Sequence, residues 1–362
     1  MHKRHLKKPD GRSLYLYSSS PVADGLAAPS PQSEPVQSNP HLRWHPLRGE
    51  WVAYASHRQN RTFLPPKEYN PLQPMRDPGV PTELPVGNYE VAVFENLFPS
   101  LSAQAGHPPH LGVETAPGKG ACEVVVFSQD ADASLSTLPL KRIELLMEVW
   151  ADRTRELGSR PGIQYVMPFE NRGVEMGVTL HHPHGQIYSY PFVPPVPARE
   201  LEQSRAHFEK TGRGLIEDFV ARETLERSRL LFESETAAAF VPICARYPYE
   251  VWIAPKQRRA RLDLMSETER RELARALKTV VMKYDRLWNR PFPYLMVFHQ
   301  GPTDGVDHPE AHFHIEFYPP YRTSQRLKYL AGTELGAGMF ASDVLPEEKA
   351  AELQKVEVDV ES

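Results

Sequence analysis

The densest concentration of reactive side chains in the 362-residue chain is His181-His182-Pro183-His184-Gly185-Gln186. Three imidazoles within four residues, followed by a glycine and an amide, suit a metal site, a nucleophile, or both. In an extended chain residues 182, 184 and 186 project from one face, because successive side chains alternate. Two imidazoles and a carboxamide then line a common surface. His181, taken singly, reads as a surface histidine or a satisfied core one. Imidazole attacks phosphorus well near neutral pH, where much of it is unprotonated without special activation. The resulting phosphoramidate is cationic and passes its group onward. Such a nucleophile presents one ring nitrogen while the other is fixed, most economically by a nearby backbone carbonyl, and Pro183 restricts the preceding chain that would carry it. Gly185 is expected to let phosphate approach the backbone closely. Gln186 can donate from its amide to a non-bridging oxygen. These roles select His184 as nucleophile and Gln186 as its helper.

The elements around this stretch follow from hydrophobic period. Trp44, Trp51, Val52 and Tyr54 flank a Leu47-Arg48-Gly49 turn and predict a hairpin. GNYEVAVFENLF and ACEVVVFS predict two strands, the second buried. Ile143, Leu146, Met147, Trp150 and Leu157 keep helical spacing from Leu140 to Leu157, with Gly158 expected as C-cap. IQYVMPF returns as a strand toward the histidines. The second half repeats the order: YEVWIAP as a strand, a helix opened by a Ser266/Glu269 capping box, then PYLMVF as a strand leading to AHFHIEFYPP. His182 and His312 stand 130 residues apart, as do His184 and His314. The spacing predicts an internal duplication of a strand, helix, strand, His-x-His unit. The copies differ after the second histidine, where one has Gly185-Gln186 and the other Ile315-Glu316, so one is expected to be catalytic and the other structural.

This length predicts two domains. A net charge of −4 argues against nucleic acid or an anionic membrane as partner. Two cysteines, Cys122 and Cys244, are too few for a disulfide framework. No apolar run reaches spanning length, and the basic start lacks a secretory apolar core, so a cytoplasmic protein is expected. Residues 1–40, rich in Pro, Ser and small side chains, are expected to form a disordered tail.

His182-Pro183-His184-Gly185-Gln186, preceded by Phe169-Glu170-Asn171-Arg172-Gly173 and by Met176-Gly177, resembles the galactose-1-phosphate uridylyltransferases, a branch of the histidine-triad superfamily. The resemblance runs from about residue 41 to about residue 345. It implies an α+β fold of two fused histidine-triad-like domains, each an antiparallel sheet with packed helices: 41–198, catalytic, and 199–362. It also implies a homodimer and a ping-pong exchange between UDP-glucose and galactose 1-phosphate. On that resemblance Arg58 and Arg61 bind phosphate. Leu72, Phe94, Asn96 and Phe98 hold uridine, with Val124 completing the pocket, and Asn171 and Thr179 contact phosphate. Lys328 and Glu334 contact sugar and phosphate, in the family from the partner subunit.

Family members often carry a structural zinc on a Cys-x-x-Cys pair, a distant histidine and the first histidine of HPH. Here Asn70-Pro71-Leu72-Gln73 and Ala131 stand at three of those four ligands, so that zinc is expected to be absent, with His182 and Pro183 kept to orient His184. The family's second site is matched by Glu200, His299, His312 and His314, a mixed set suited to zinc or iron in a structural role. Two competing readings share the residues. One is a nucleoside-diphosphate-sugar or dinucleoside-polyphosphate phosphorylase on the same scaffold; the other is a nucleotide- or metal-binding regulator without turnover.

Overall fold

The computed structural model describes residues 1–361 apart from 36–37, 62–63 and 67–68. The first half builds strands β1 (His2–Lys7), β2 (Ser13–Ser18), β3 (His41–His45), β4 (Glu50–Tyr54), β5 (Val91–Glu95), β6 (Thr115–Pro117) and β7 (Ala121–Val126). Helix α1 (Leu140–Gly158) and strands β8 (Tyr165–Arg172) and β9 (His184–Tyr190) complete it. The second half adds helices α2 (Pro195–Thr211) and α3 (Leu215–Glu226), then β10 (Leu230–Glu233), β11 (Ala237–Phe240) and β12 (Val251–Pro255). Helix α4 (Glu267–Leu287), β13 (Tyr294–His299) and β14 (His314–Tyr318) repeat the order of α1, β8 and β9.

Eleven of these strands form one sheet in the order β1-β2-β5-β7-β9-β8-β13-β14-β12-β11-β10. The order reads symmetrically about the antiparallel β8–β13 pair, where Tyr294 lies opposite Arg172 and Val297 opposite Phe169. This is the geometric form of the 130-residue repeat: β9 and β14, which carry the two His-x-His motifs, occupy equivalent places in the two halves. The two expected domains therefore share one continuous sheet.

The period rules held where a helix lies on the sheet. In α4 the Ser266 hydroxyl accepts from the Glu269 amide at 3.2 Å, and the Glu269 carboxylate accepts from the Ser266 amide at 2.8 Å. Leu273, Leu277, Val280, Val281 and Tyr284 are buried from the same helix. Helices α1 and α4 cover one face, where Trp150 meets Phe127 and Phe298 edge-on at 5.9 and 4.9 Å. Arg153 of α1 and Glu123 of β7 form a fully buried ion pair at 2.6 Å. Gly158 is not the cap but the last helical residue. A Cβ there would come within 2.6 Å of Thr303, so packing rather than a left-handed turn requires glycine.

The expected disordered tail is corrected. Residues 2–7 and 13–18 form a hairpin, and β2 pairs antiparallel with β5, Leu14 opposite Phe94. All six residues of β2 are buried, Leu14 and Leu16 toward one face and Tyr15 and Tyr17 toward the other. Composition averaged over forty residues hid a six-residue strand whose burial depends on a partner far along the chain. The turn closes at Gly11 with φ +82°, a conformation glycine adopts without strain.

Candidate active site

Strand β9 runs between β7 and β8, with Val126 opposite His184, Val124 opposite Gln186, and Phe169 opposite Gln186 across the other edge. Alternation along the strand turns His184 and Gln186 to one face and Gly185 and Ile187 to the other, toward α1. A Cβ on Gly185 would sit 2.8 Å from the Phe169 carbonyl and 3.0 Å from the Phe127 ring. This corrects the expectation for Gly185: its missing side chain makes room for neighbouring protein on the face away from the histidines.

The backbone fixes the tautomer of both imidazoles. His184 Nδ1 donates to the His182 carbonyl at 2.7 Å, which leaves the lone pair on Nε2. Burial lowers the His184 pKa and the bond to the carbonyl opposes the shift, so the ring is neutral at neutral pH. His182 is held from both ends. Its Nε2 donates to the Ser128 carbonyl at 2.7 Å, and its Nδ1 accepts from the Asn70 amide at 2.8 Å. Burial lowers its pKa as well. Asn70, at a position where the resemblance implied a lost zinc ligand, thus grips the ring directly. Sequence reading noticed the lost cysteine but not this bond, because the two residues are 112 apart and only the fold joins them.

His184 and Gln186 open into a cavity of ≈ 170 Å³. Its wall includes Arg58, Arg61, Leu72, Phe94, Asn96, Phe98, Val124 and Thr179. Asn96 organises one side: its Oδ1 accepts from the Phe98 amide at 2.8 Å and its Nδ2 donates to Gln186 Oε1 at 3.5 Å. That bond turns the Gln186 amide nitrogen away from Asn96, as a donor with no partner among the described residues. Arg58 is tethered to the Phe98 carbonyl at 2.6 Å, while Arg61 is exposed. Three residues expected at the site do not line the cavity. Asn171 lies on β8, on the face shared by Phe169 and Gln186. Lys328 and Glu334 pair with each other at 3.4 Å. Pro31, Tyr69, Leu180 and Glu83 also line the cavity and carried no recognisable signal in the sequence.

The equivalent place in the second half holds a different chemistry. Glu200, His299 and His314 bring their ligand atoms within 4.8 Å of one another, an arrangement able to hold a metal ion. His299 Nδ1 is 2.7 Å from Glu200 Oε2, and His314 Nδ1 donates to the His312 carbonyl at 3.0 Å, as His184 does to His182. His312, expected as the fourth ligand, is not in this group; its Nε2 donates to the Pro255 carbonyl at 2.9 Å. Its Nδ1 is buried without a hydrogen-bond partner among the described residues, and both rings line one cavity of ≈ 250 Å³ with Glu316. Burial lowers His312 to about 3. Burial also disfavours the charged form of His299, but Glu200 and Glu316 outweigh it and raise the ring to about 9. Two carboxylates beside several inward ring nitrogens form a mixed donor set that fits a cation.

Comparison with known proteins places these features. Residues 32–194 match the N-terminal domain of galactose-1-phosphate uridyl transferase and residues 200–361 match its C-terminal domain. A galactose-1-phosphate uridylyltransferase of Thermotoga maritima is 40% identical over 325 residues, covering 88% of this chain and 99% of its own. One from Streptomyces lividans is 34% identical over 378 residues and covers 99% of both chains. A uridylyltransferase of known structure superposes with a TM-score of 0.77 at 33% identity, over 87% of this chain and 97% of the other. An Arabidopsis thaliana ADP-glucose phosphorylase shares the fold, with a TM-score of 0.65 at 23% identity over 88% and 100% of the two chains. Matched through both halves, the chain belongs to the galactose-1-phosphate uridylyltransferase family.

Proposed function

We propose that the chain transfers a uridylyl group from UDP-glucose to galactose 1-phosphate through a covalent intermediate on His184. The observation that carries this reading is the His184–His182 bond at 2.7 Å, which leaves a neutral imidazole with its Nε2 lone pair beside a cavity lined by arginines and an amide donor. Nε2 attacks the α-phosphorus, the bond from phosphorus to the bridging oxygen breaks, and glucose 1-phosphate leaves. The ring is then cationic, and the His182 carbonyl on Nδ1–H stabilises it. An oxygen of galactose 1-phosphate next attacks the same phosphorus, the P–N bond breaks, and UDP-galactose leaves with the imidazole restored. Both half-reactions use one site, because the leaving glucose 1-phosphate and the incoming galactose 1-phosphate differ only in the sugar.

In this reading the Gln186 amide nitrogen donates to a non-bridging oxygen as charge shifts onto it, and Arg58 and Arg61 neutralise phosphate. Leu72, Phe94, Asn96, Phe98 and Val124 receive the uridine, and Thr179 and Asn171 the phosphates. Residues 41–198 act as the catalytic domain and 199–362 as its structural counterpart. Asn70 and Ser128 orient His182 without a zinc ion. Glu200, His299 and His314, with His312 beside them, hold zinc or iron, which fixes the segment opening α2 against the sheet and takes no part in the transfer. The protein works in the cytoplasm as a homodimer, with Lys328 and Glu334 reaching toward the partner's site.

Intact-protein mass spectrometry after brief exposure to UDP-glucose tests the reading. An added uridylyl mass that His184→Ala abolishes is the expected result. Persistence of the adduct in that variant, or direct transfer with inversion at phosphorus, would overturn it.

A further inference from the structure

The N-terminal family match begins at residue 32, yet Pro31 lines the cavity that contains His184, and Lys8 and Arg12 bond to another of its lining residues, Glu83. On one face of the sheet, Leu14 lies opposite Phe94, Phe94 opposite Val124, and Val124 opposite Gln186. With strands spaced by about 4.8 Å, Phe94 stands roughly 10 Å from Gln186, a separation that a ribose bridges, and the N-terminal hairpin lies beyond it. Lys8, Arg12 and Glu83 are all buried there, at 3%, 6% and 4% exposure. Lys8 Nζ donates to Glu83 Oε2 at 2.5 Å and stands 4.7 Å from the centre of the Phe94 ring. Arg12 donates to Glu83 Oε1 at 3.1 Å and Oε2 at 2.9 Å, and through Nε to Asp10 Oδ2 at 2.7 Å.

Two cations and two carboxylates cancel, so the cluster brings no net charge to the cavity wall. A carboxylate this buried needs such partners to offset its lost hydration. Among the described residues, Oε2 of Glu83 takes two hydrogen bonds and Oε1 takes one, which leaves Oε1 with acceptor capacity. An acceptor at the base end of a nucleotide cavity distinguishes bases by their ring protons. Uracil carries N3–H; cytosine has a lone pair there.

We propose that Glu83 is a base-selecting residue of the donor site, braced from behind by Lys8 and Arg12 of the N-terminal segment so that its carboxylate accepts the ring N–H of uracil and disfavours cytosine. This rests on the reading that the nucleoside of the donor occupies the cavity beside Phe94. The test compares UDP-glucose and CDP-glucose as donors for the wild type, Glu83→Gln and Lys8→Met, with melting temperatures and uridylyl-adduct mass measured alongside. Glutamine offers an N–H to cytosine as well as an acceptor to uracil. The UDP-to-CDP ratio of kcat/KM should therefore narrow by about tenfold to a hundredfold in Glu83→Gln. Lys8→Met, which leaves Arg12 on the carboxylate, should raise KM for UDP-glucose about tenfold with kcat little changed. Lower melting temperatures with an unaltered donor ratio and KM would reduce the cluster to a structural element and overturn the proposal. Absence of any adduct on the wild type would instead overturn the transfer reading, and this proposal with it.

Discussion

Asn70 donates its side-chain amide to Nδ1 of His182 at 2.8 Å, while the equivalent nitrogen of His312 in the second half is buried without a hydrogen-bond partner among the described residues. One duplicated imidazole is thus held by a carboxamide and its counterpart is left with a free acceptor beside a group able to hold a metal. The same backbone motif supports the imidazole proposed as nucleophile in one half and a group able to hold a metal in the other.

Removing the grip on His182 should act through His184. In Asn70→Ala, His182 loses one of its two anchors, and the carbonyl that fixes His184 Nδ1 loses its support. We expect kcat to fall about tenfold to a hundredfold, with KM for galactose 1-phosphate little changed. Steady-state kinetics of both half-reactions check this, and an unaltered kcat would show that Ser128 alone orients the ring.

Gly185→Ala should fail by packing. The new methyl meets a backbone carbonyl at 2.8 Å and the buried Phe127 ring at 3.0 Å, neither of which is the end of a flexible side chain. A loss of about 1–3 kcal/mol in unfolding free energy is expected by denaturant titration, with displacement of β9 reducing adduct formation. Full stability would mean that the strand shifts freely.

Glu170 gives the fold a pH dependence of stated sign. It is buried beside Tyr294, whose hydroxyl donates to it at 3.0 Å. Burial, opposed by Arg172 and Tyr294, raises its pKa from 4.5 to about 7. The unfolded chain therefore loses this proton before the folded one does, so stability falls as pH rises from about 4.5 through 7 and is level above. Glu170→Gln removes the titration. Its unfolding free energy should match the wild type near pH 5 and exceed it near pH 8, by on the order of 3 kcal/mol at most, seen as a higher melting temperature at the higher pH. Parallel melting curves across that range would contradict the assignment.

Metal removal should separate scaffold from chemistry. Chelation, or His299→Ala, takes away the centre of the Glu200, His299 and His314 group. The expected outcome is a lower melting temperature with uridylyl-His184 still formed on brief exposure to UDP-glucose. Loss of the adduct at unchanged stability would give the metal a role in transfer.

Local sequence carried much of this protein. The α4 capping box, the buried β7 run and the Trp44–Trp51 hairpin are set by neighbours in the chain, where a period or a cap is enough. Alternation along an extended strand places His184 with Gln186, and the 130-residue repeat foretells two equivalent strands. Other features were invisible because their partners are remote. The β2 strand pairs with β5 some eighty residues later, and Glu83, at the cavity wall, bonds to Lys8 and Arg12 far earlier in the chain.

The sequence by itself determined that His184 and Gln186 share a face and that the order of elements is duplicated, since each depends on contacts within a few residues or on a repeat that can be counted. Tertiary structure alone decided that Asn70 anchors His182, that Gly185 is required by Phe169 and Phe127, and that the first residues join the sheet. Those outcomes depend on which distant groups meet once the sheet has closed, and no local pattern encodes a distance in space.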